Sequence, residues 1–503
     1  MLDYAGALQQ MMDHPDVLAK LFQNNFGLEV KKYRILTNGR ASRHPFPEEL
    51  CKRATNPYLD SGFSDDVMEI ETRPAIGARL AVRNLRTLEQ VIYSQLAKDE
   101  RLWPLSIAPM KLYDKDLDFV KDNFSREWVA GLHDKLAQKY GLEKQMMRVG
   151  VHINFSLNPV LLRGLYQANG GVEKEDWAHF KNRLYFKISQ RFMQYRWLFT
   201  YLYGATPIVH DRPNGLPDAV DFPVKSIRAS HFGDTNMPNE TITYDSFNAQ
   251  VHQLQDLIAS GQLFGLKEFY GPVRLRAHGK GLENVVDNGA DYLEIRSFDL
   301  DPFTRAGISD DTLNFLELFL LDSLVTDMPE DMTEELKVAD ERNEEIALSA
   351  PDYQPDWLMD AATPLINALH KFIYDFHAPH SYQMALTFVG RRLRNPRLTI
   401  GGQVGRQLED GNLLSFGLKI ANDAYSSYLN FPYPLQALHK EYSVKAQQLI
   451  RAAIELGLVI SLPPNRIILK KGDHEENLAA DTDFNFDKGP RDFVKALFPE
   501  LNS

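Results

Sequence analysis

The chain has 503 residues, 44% of them hydrophobic and 25% charged, the balance of an ordinary globular protein long enough for one large core or two moderate ones. Its formal net charge is −12 with no basic block, which argues against a broad nucleic-acid surface and against a polybasic membrane patch. Cys51 is the only cysteine, so an internal disulfide and a cysteine-based metal site are excluded, and a lone thiol fits a reducing compartment.

In chain order, Met1-Leu-Asp-Tyr4 lacks the basic and apolar character of a secretory leader, and a cytoplasmic location is expected. Short alternating segments at Gly27–Ile35, Val67–Thr72, Arg148–Leu157 and Tyr292–Phe298 predict strands. Apolar residues at spacings of three and four predict helices through Leu85, Leu88, Ile92 and Leu96, and through Leu184, Ile188, Phe192 and Tyr195. The apolar stretch Leu313–Val325 is broken by Asn314, Glu317 and Asp322; it is too short to span a bilayer and reads as a buried helix. The acidic run Pro329–Glu345, followed by Pro351 and Pro355, reads as a surface excursion or as a boundary before a mostly helical C-terminal part at about 350–503.

Gly401-Gly402-Gln-Val-Gly405 lacks the spacing of a dinucleotide fingerprint and reads as a turn. Ser443 is placed to cap a helix running through Leu449, Ile450 and Ile454 to a stop at Gly457. The polar, Asp-rich stretch Lys470–Pro490 is expected to be a solvated loop or a tail. Strands separated by helices without a regular βαβ rhythm predict an α+β fold with a largely antiparallel sheet, and residues 1–503 read as one unit.

The predicted strands carry an anomaly. Residues two apart on a strand share a face, so Glu29 with Lys31, Glu69 with Glu71, His152 with Asn154 and Ser156, and Glu294 with Arg296 each form a polar face. Any one of these is what a sheet with a wet side shows. Together they make a set of carboxylates with one imidazole, hard donors suited to Mg²⁺ or Mn²⁺.

Several segments resemble the glutamate–cysteine ligases, in particular the bacterial type and the ligase half of the bifunctional glutathione synthases. They are Phe26-Gly-Leu-Glu29, Glu69-Ile-Glu-Thr72, Arg101-Leu-Trp-Pro-Leu-Ser106, Gly150-Val-His-Ile-Asn-Phe155, Arg196-Trp197 and Tyr201-Leu-Tyr-Gly-Ala-Thr-Pro207. Ser226-Ile-Arg228, Lys267-Glu-Phe-Tyr-Gly-Pro-Val-Arg-Leu-Arg276 and Tyr292-Leu-Glu-Ile-Arg-Ser-Phe-Asp-Leu-Asp-Pro-Phe303 follow in the family's order, with a looser match at Leu393-Arg-Asn-Pro396.

The resemblance implies a glutamine-synthetase-like fold, a curved and largely antiparallel sheet flanked by helices. It implies an ATP- and Mg²⁺-dependent (or Mn²⁺-dependent) ligase joining the γ-carboxylate of glutamate to the amine of cysteine through a γ-glutamyl phosphate. By position it makes Glu29, Glu69, His152 and Glu294 metal ligands, and Arg296 and Glu69 catalytic. Arg228, Tyr270, Phe63 and Asn154 become substrate-binding, and Arg274 nucleotide-binding. The family binds nucleotide on the sheet, so a missing Walker-type glycine loop does not count against ATP. No additional ATP-grasp domain is read in the chain, so the expected product is γ-glutamylcysteine.

Three positions depart from the family pattern. Lys31 stands where a second carboxylate is usual, Gly62 stands where an Asp precedes the Phe, and Asp234 stands where a Tyr is expected near the cysteine. An ammonium at Lys31 is expected to pair with the carboxylates and to take the space of one divalent ion. Asp234 is expected to repel a cysteine carboxylate and to favour an amine-bearing acceptor. The alternatives are therefore a ligase with a different amine acceptor, or a member that binds without turnover.

Overall fold

The computed structural model describes residues 4–11, 14–50, 55–109, 112–123, 127–141, 149–207, 220, 222–233, 235–279, 281–409 and 411–502. Cys51, Arg148, His210 and Asp234 lie outside them, and the expectations attached to those residues are not addressed by the structure.

The alternating segments pair into one sheet. Its strands are β1 (Asn25–Leu36), β2 (Leu59–Ser61), β3 (Val67–Glu71), β4 (Ala75–Ile76), β5 (Glu100–Leu102), β6 (Val151–Ser156), β7 (Val273–Arg276) and β8 (Tyr292–Phe298). The order is β2-β3-β1-β6-β8-β7, with β4 and β5 also on β1, and every pairing is antiparallel. β1 is central because it is long: twelve residues let it pair with β3, β4, β5 and β6 along its length.

Leu28, Val30, Ile70, Ile153, Phe155, Leu293 and Ile295 turn to the other face and are buried. The helix Ala78–Tyr93 covers part of that face with Leu85, Leu88 and Ile92. The 27-residue helix Trp177–Tyr203 covers more, Phe199 meeting Phe298 of β8 at 5.8 Å between ring centroids. Beneath it runs the helix Asp310–Val325, capped by Ser309 and buried along nearly its whole length, where an apolar stretch was expected to be buried. The sheet thus has one dry face under helices and one polar face, and the polar face holds the site.

Three local expectations are corrected. The acidic run is no loose excursion: it forms the helix Met332–Leu348, which lies along Trp177–Tyr203 and joins it through Thr200 and Asn343, 2.7 Å apart. Its charges face solvent while Ala339, Ile346 and Ala347 are buried, the ordinary partition of a surface helix. The glycines at 401 to 405 lie in a short helix, Ile400–Gly405, capped by Thr399, rather than in a turn. Their small size serves packing, since a Cβ on Gly402 would come within 2.3 Å of the Pro396 carbonyl oxygen.

The stretch expected as a loop or tail contains a hairpin. β9 (Val459–Ser461), β10 (Arg466–Lys471) and β11 (His474–Ala479) form a small antiparallel sheet, with Ile467 and Leu469 as its buried side. The C-terminal part therefore combines helices with a sheet. Ser443 caps the helix Val444–Glu455 as expected, accepting the Ala446 amide hydrogen. Among the described residues no helix is long and apolar enough to cross a membrane.

Candidate active site on the polar face of the sheet

Strand register decides which side chains meet. Glu29 of β1 stands opposite Glu71 of β3 and His152 of β6, and Lys31 stands opposite Glu69. Asn154 stands opposite Glu294 of β8, and Glu294 opposite Arg274 of β7. Antiparallel partners share a face, so the four polar faces read from the sequence become one continuous surface.

That surface is polarised. Its β1–β3 end is acidic. The Lys31 ammonium sits between two carboxylates, 3.0 Å from Glu29 Oε1 and 3.3 Å from Glu69 Oε1. Burial would lower the lysine, but Glu69 and Glu29 outweigh it and hold Lys31 above its ordinary value. One ammonium cannot neutralise both acids. Burial would raise Glu29, yet His152 and Lys31 hold it well below the usual carboxylate range. Burial and the neighbouring Glu29 keep Glu69 well above that range despite Lys31.

His152 forms the hinge between the two ends. Its Nδ1 lies 2.9 Å from Glu29 Oε1. Burial pushes the imidazole down, opposed by Glu29 and helped by Arg296, which favours the neutral ring. A carboxylate only accepts, so Nδ1–H donates to Glu29 and Nε2 keeps its lone pair.

The β7–β8 end is basic. Glu294 Oε1 accepts from Arg296 at 2.9 Å and lies 3.7 Å from Arg274, while Oε2 lies 3.4 Å from Arg276. Although burial opposes it, Arg274, Arg296 and Arg276 bring Glu294 down to about 2. Arg276 was not singled out from the sequence, but it lies two residues from Arg274 and shares its face. Asp60, buried opposite Glu69, was also missed.

The remaining expected residues fall around this surface. Arg228 is placed beneath it: its terminal nitrogens donate to the carbonyl oxygens of Phe298 and Arg296, at 3.1 and 2.8 Å. It therefore braces the end of β8. Gly150 makes this possible, because a Cβ there would come within 2.7 Å of the guanidinium carbon. Phe63, half-buried, packs against a small apolar cluster of Leu112 and Val120. Asn154 is half-buried on the polar face beside Glu294.

Tyr270 is buried, with its ring 6.0 Å from the Arg296 guanidinium carbon. Asn236 fixes it by accepting its backbone N–H at 2.8 Å. Asn236 belongs to a network that sequence spacing does not reveal: Lys139 pairs with Glu240 and Glu268, and the Tyr140 hydroxyl lies within hydrogen-bond distance of both. Gly62 lies at the acidic end, and a Cβ there would meet Val67 at 2.8 Å and Glu69 Oε2 at 3.7 Å.

Glu29, His152 and Glu294 each present a ligand atom within 4.8 Å of the others. Two carboxylates and a neutral imidazole, with no thiolate, fit Mg²⁺ or Mn²⁺. A carboxylate has about four acceptor positions, so the arginines do not exhaust Glu294. Glu69, the fourth expected ligand, stands outside this trio, with Lys31 3.3 Å from its Oε1.

Comparison with known proteins bears on this surface. The model of the family described as glutamate-cysteine ligase matches residues 8–346. The glutathione biosynthesis bifunctional protein GshAB of Streptococcus agalactiae is 33% identical over 458 residues, covering 90% of this chain and 58% of that protein. Its counterpart in Enterococcus faecalis is 30% identical over 482 residues, covering 93% and 61%. The chain thus spans about three-fifths of the length of these curated relatives. A bifunctional glutathione synthetase from Pasteurella multocida superposes with a TM-score of 0.83 at 27% identity, covering 93% of this chain and 62% of that one. A glutamate–cysteine ligase from Francisella tularensis, solved with AMP, superposes at 0.69 and 21% identity over 85% of this chain and 92% of that one, which supports the fold.

Proposed function

The chain belongs to the glutamate–cysteine ligase family, and from that premise we propose that it joins the γ-carboxylate of L-glutamate to the amine of L-cysteine with conversion of ATP to ADP. The observation that carries this reading is the polarised face: the Glu29–His152–Glu294 triad stands directly beside Arg274, Arg276 and Arg296. Cation ligands next to guanidinium groups are what a phosphoryl transfer to a carboxylate needs.

The glutamate γ-carboxylate attacks the γ-phosphorus of ATP, ADP leaves, and an acyl phosphate results. The cysteine amine then attacks the acyl carbon and inorganic phosphate leaves as the amide forms. Arg296 and Arg276 offset charge on the transferring group and Arg274 holds the nucleotide, while Arg228 keeps β8 in place behind them. Tyr270 and Asn154 border the glutamate. We assign Glu69, at the acidic end, the proton that the attacking amine gives up. Glu29, His152 and Glu294 would hold Mg²⁺ or Mn²⁺, which supplies Lewis-acid neutralisation of phosphate charge. One hydrophobic core runs from Ala7 to Phe498, which supports treating the chain as one ligase unit. The cytoplasm, with its ATP and reduced thiols, is the compartment this chemistry requires.

The test is ADP release by the purified protein with ATP, Mg²⁺ and glutamate, with and without cysteine and across a panel of other amines. Cysteine-dependent release with γ-glutamylcysteine found by mass spectrometry is the expected result. Turnover only with another amine would replace the acceptor, and no turnover with any amine would overturn the reading.

A further inference from the structure

We infer that Lys31 permanently fills a cation position at the acidic end of this face, next to the one that the Glu29–His152–Glu294 triad offers to a divalent ion where the two ends meet. The assignment deepens the ligase reading above and rests on it for its role in phosphoryl transfer.

Geometry places Lys31 where a bridging ion would sit. Its Nζ lies 3.0 Å from Glu29 Oε1 and 3.3 Å from Glu69 Oε1, and thereby links side chains of β1 and β3. Glu29 Oε1 also meets His152 Nδ1 at 2.9 Å, so Glu29 is the edge common to both positions. Register keeps the ammonium there, because Lys31 is directly opposite Glu69. A tethered cation is ordered when the sheet forms and needs no capture from solution.

Coordination separates the two positions. A divalent ion of the Mg²⁺ type takes about six oxygen or nitrogen donors in a near-octahedral shell. Around Lys31 the partners are Glu29 and Glu69. Residue 62, where a Cβ would meet Val67 at 2.8 Å and lie 3.7 Å from Glu69 Oε2, is glycine and adds no donor. Asp60 has Oδ1 turned to the Ser61 amide hydrogen. Two carboxylates suit an ammonium with three donors better than a six-coordinate ion. The triad, with an imidazole and two carboxylates, keeps the divalent ion.

The assignment makes the number of protein-held ions a property of one side chain. Mn²⁺ bound per chain is counted by the loss of the free-ion electron paramagnetic resonance signal, with a saturating non-hydrolysable ATP analogue present for wild type and variants alike. Lys31→Glu is expected to hold one more Mn²⁺ than wild type, and Glu294→Gln one fewer. If the added carboxylate unfolds the sheet, Lys31→Met replaces it and is expected to bind Mn²⁺ at the vacated position at least about tenfold more tightly than wild type. Counts and affinities unchanged by both Lys31 substitutions overturn the assignment of Lys31, and a count unchanged by Glu294→Gln overturns that of the triad. ADP release measured on the same samples reports separately: the expected counts without turnover keep the cation positions and overturn the ligase reading.

Discussion

β1 carries basic residues to both of its faces, and the two faces treat them differently. On the dry face Lys32 meets Glu89 at 2.5 Å and Arg34 meets Glu100 at 2.7 Å, each cation with one carboxylate. The Arg34–Glu100 pair is almost wholly excluded from solvent and further satisfied, Arg34 by the carbonyls of His44, Pro45 and Asp65 and Glu100 by the Ser42 hydroxyl. On the polar face Lys31 is shared between two carboxylates, and Glu294 is shared among three arginines. Matched pairs close a charge off, whereas mismatched groups keep a field that an incoming ion or phosphate can complete. The stoichiometry of charge, more than its presence, separates scaffold from site along one strand.

The comparison breaks most sharply at Arg34. Arg34→Met leaves Glu100 without its ion partner in the core, and the expected loss of stability in chemical denaturation is about 3–5 kcal/mol, with turnover per folded molecule retained. A loss below about 1 kcal/mol would place the pair among weak surface bridges.

Glu317 sharpens it with a third arrangement, a fully buried carboxylate met by the Asn24 amide at 2.9 Å. Burial pushes it up to about 7 from 4.5. The folded chain then holds a proton that the unfolded chain has released. This contribution to stability is full below about pH 4.5 and is lost as pH rises through about 7, to the extent of about 3 kcal/mol. Glu317→Gln is expected to remove that slope, so denaturation midpoints of the two proteins should diverge between pH 5 and 8. Parallel curves would show that Glu317 ionises normally.

The smallest expected free-energy effect is on the polar face. Glu29→Gln should leave stability within about 1 kcal/mol, because Lys31 keeps Glu69 and the groups are partly solvated. The same change should lower ATP turnover about 100-fold, since Glu29 orients His152 and belongs to the triad. Loss of folding in step with activity would make Glu29 one more matched structural pair.

Period-two alternation made β1, β3, β6 and β8 legible, and with them Glu29, Lys31, Glu69, His152 and Glu294. Lys31 could be placed among carboxylates because residues 29 and 31 must share a face. What escaped was contact through space. Lys32 and Arg34 occupy the apolar register of β1, and only the approach of Glu89 and Glu100 explains them. Arg228 was singled out by the resemblance alone, and nothing in its neighbours reveals its bonds to the carbonyls of Arg296 and Phe298. The β10–β11 hairpin was hidden because β11 is polar on both faces and carries no amphipathic signal.

Between β6 and β8 the register slips. Val151 faces Phe298 and Ile153 faces Ile295, two steps against three, so β8 bulges opposite His152. Leu293 and Ile295 point to the core, and after the extra residue it is Phe298 that returns there to meet Tyr203 at 5.6 Å. The bulge works as a phase shifter. Upstream of it the strand's beat is set by Glu294 and Arg296, and downstream by the aromatic packing on the long helix. Chemistry and architecture thus occupy one strand without sharing a reading frame, and substitutions at 294 and 296 can accumulate without disturbing Phe298. Deleting the single residue Ser297 would bring the two halves back into one phase, forcing either the site or the core to face the wrong way.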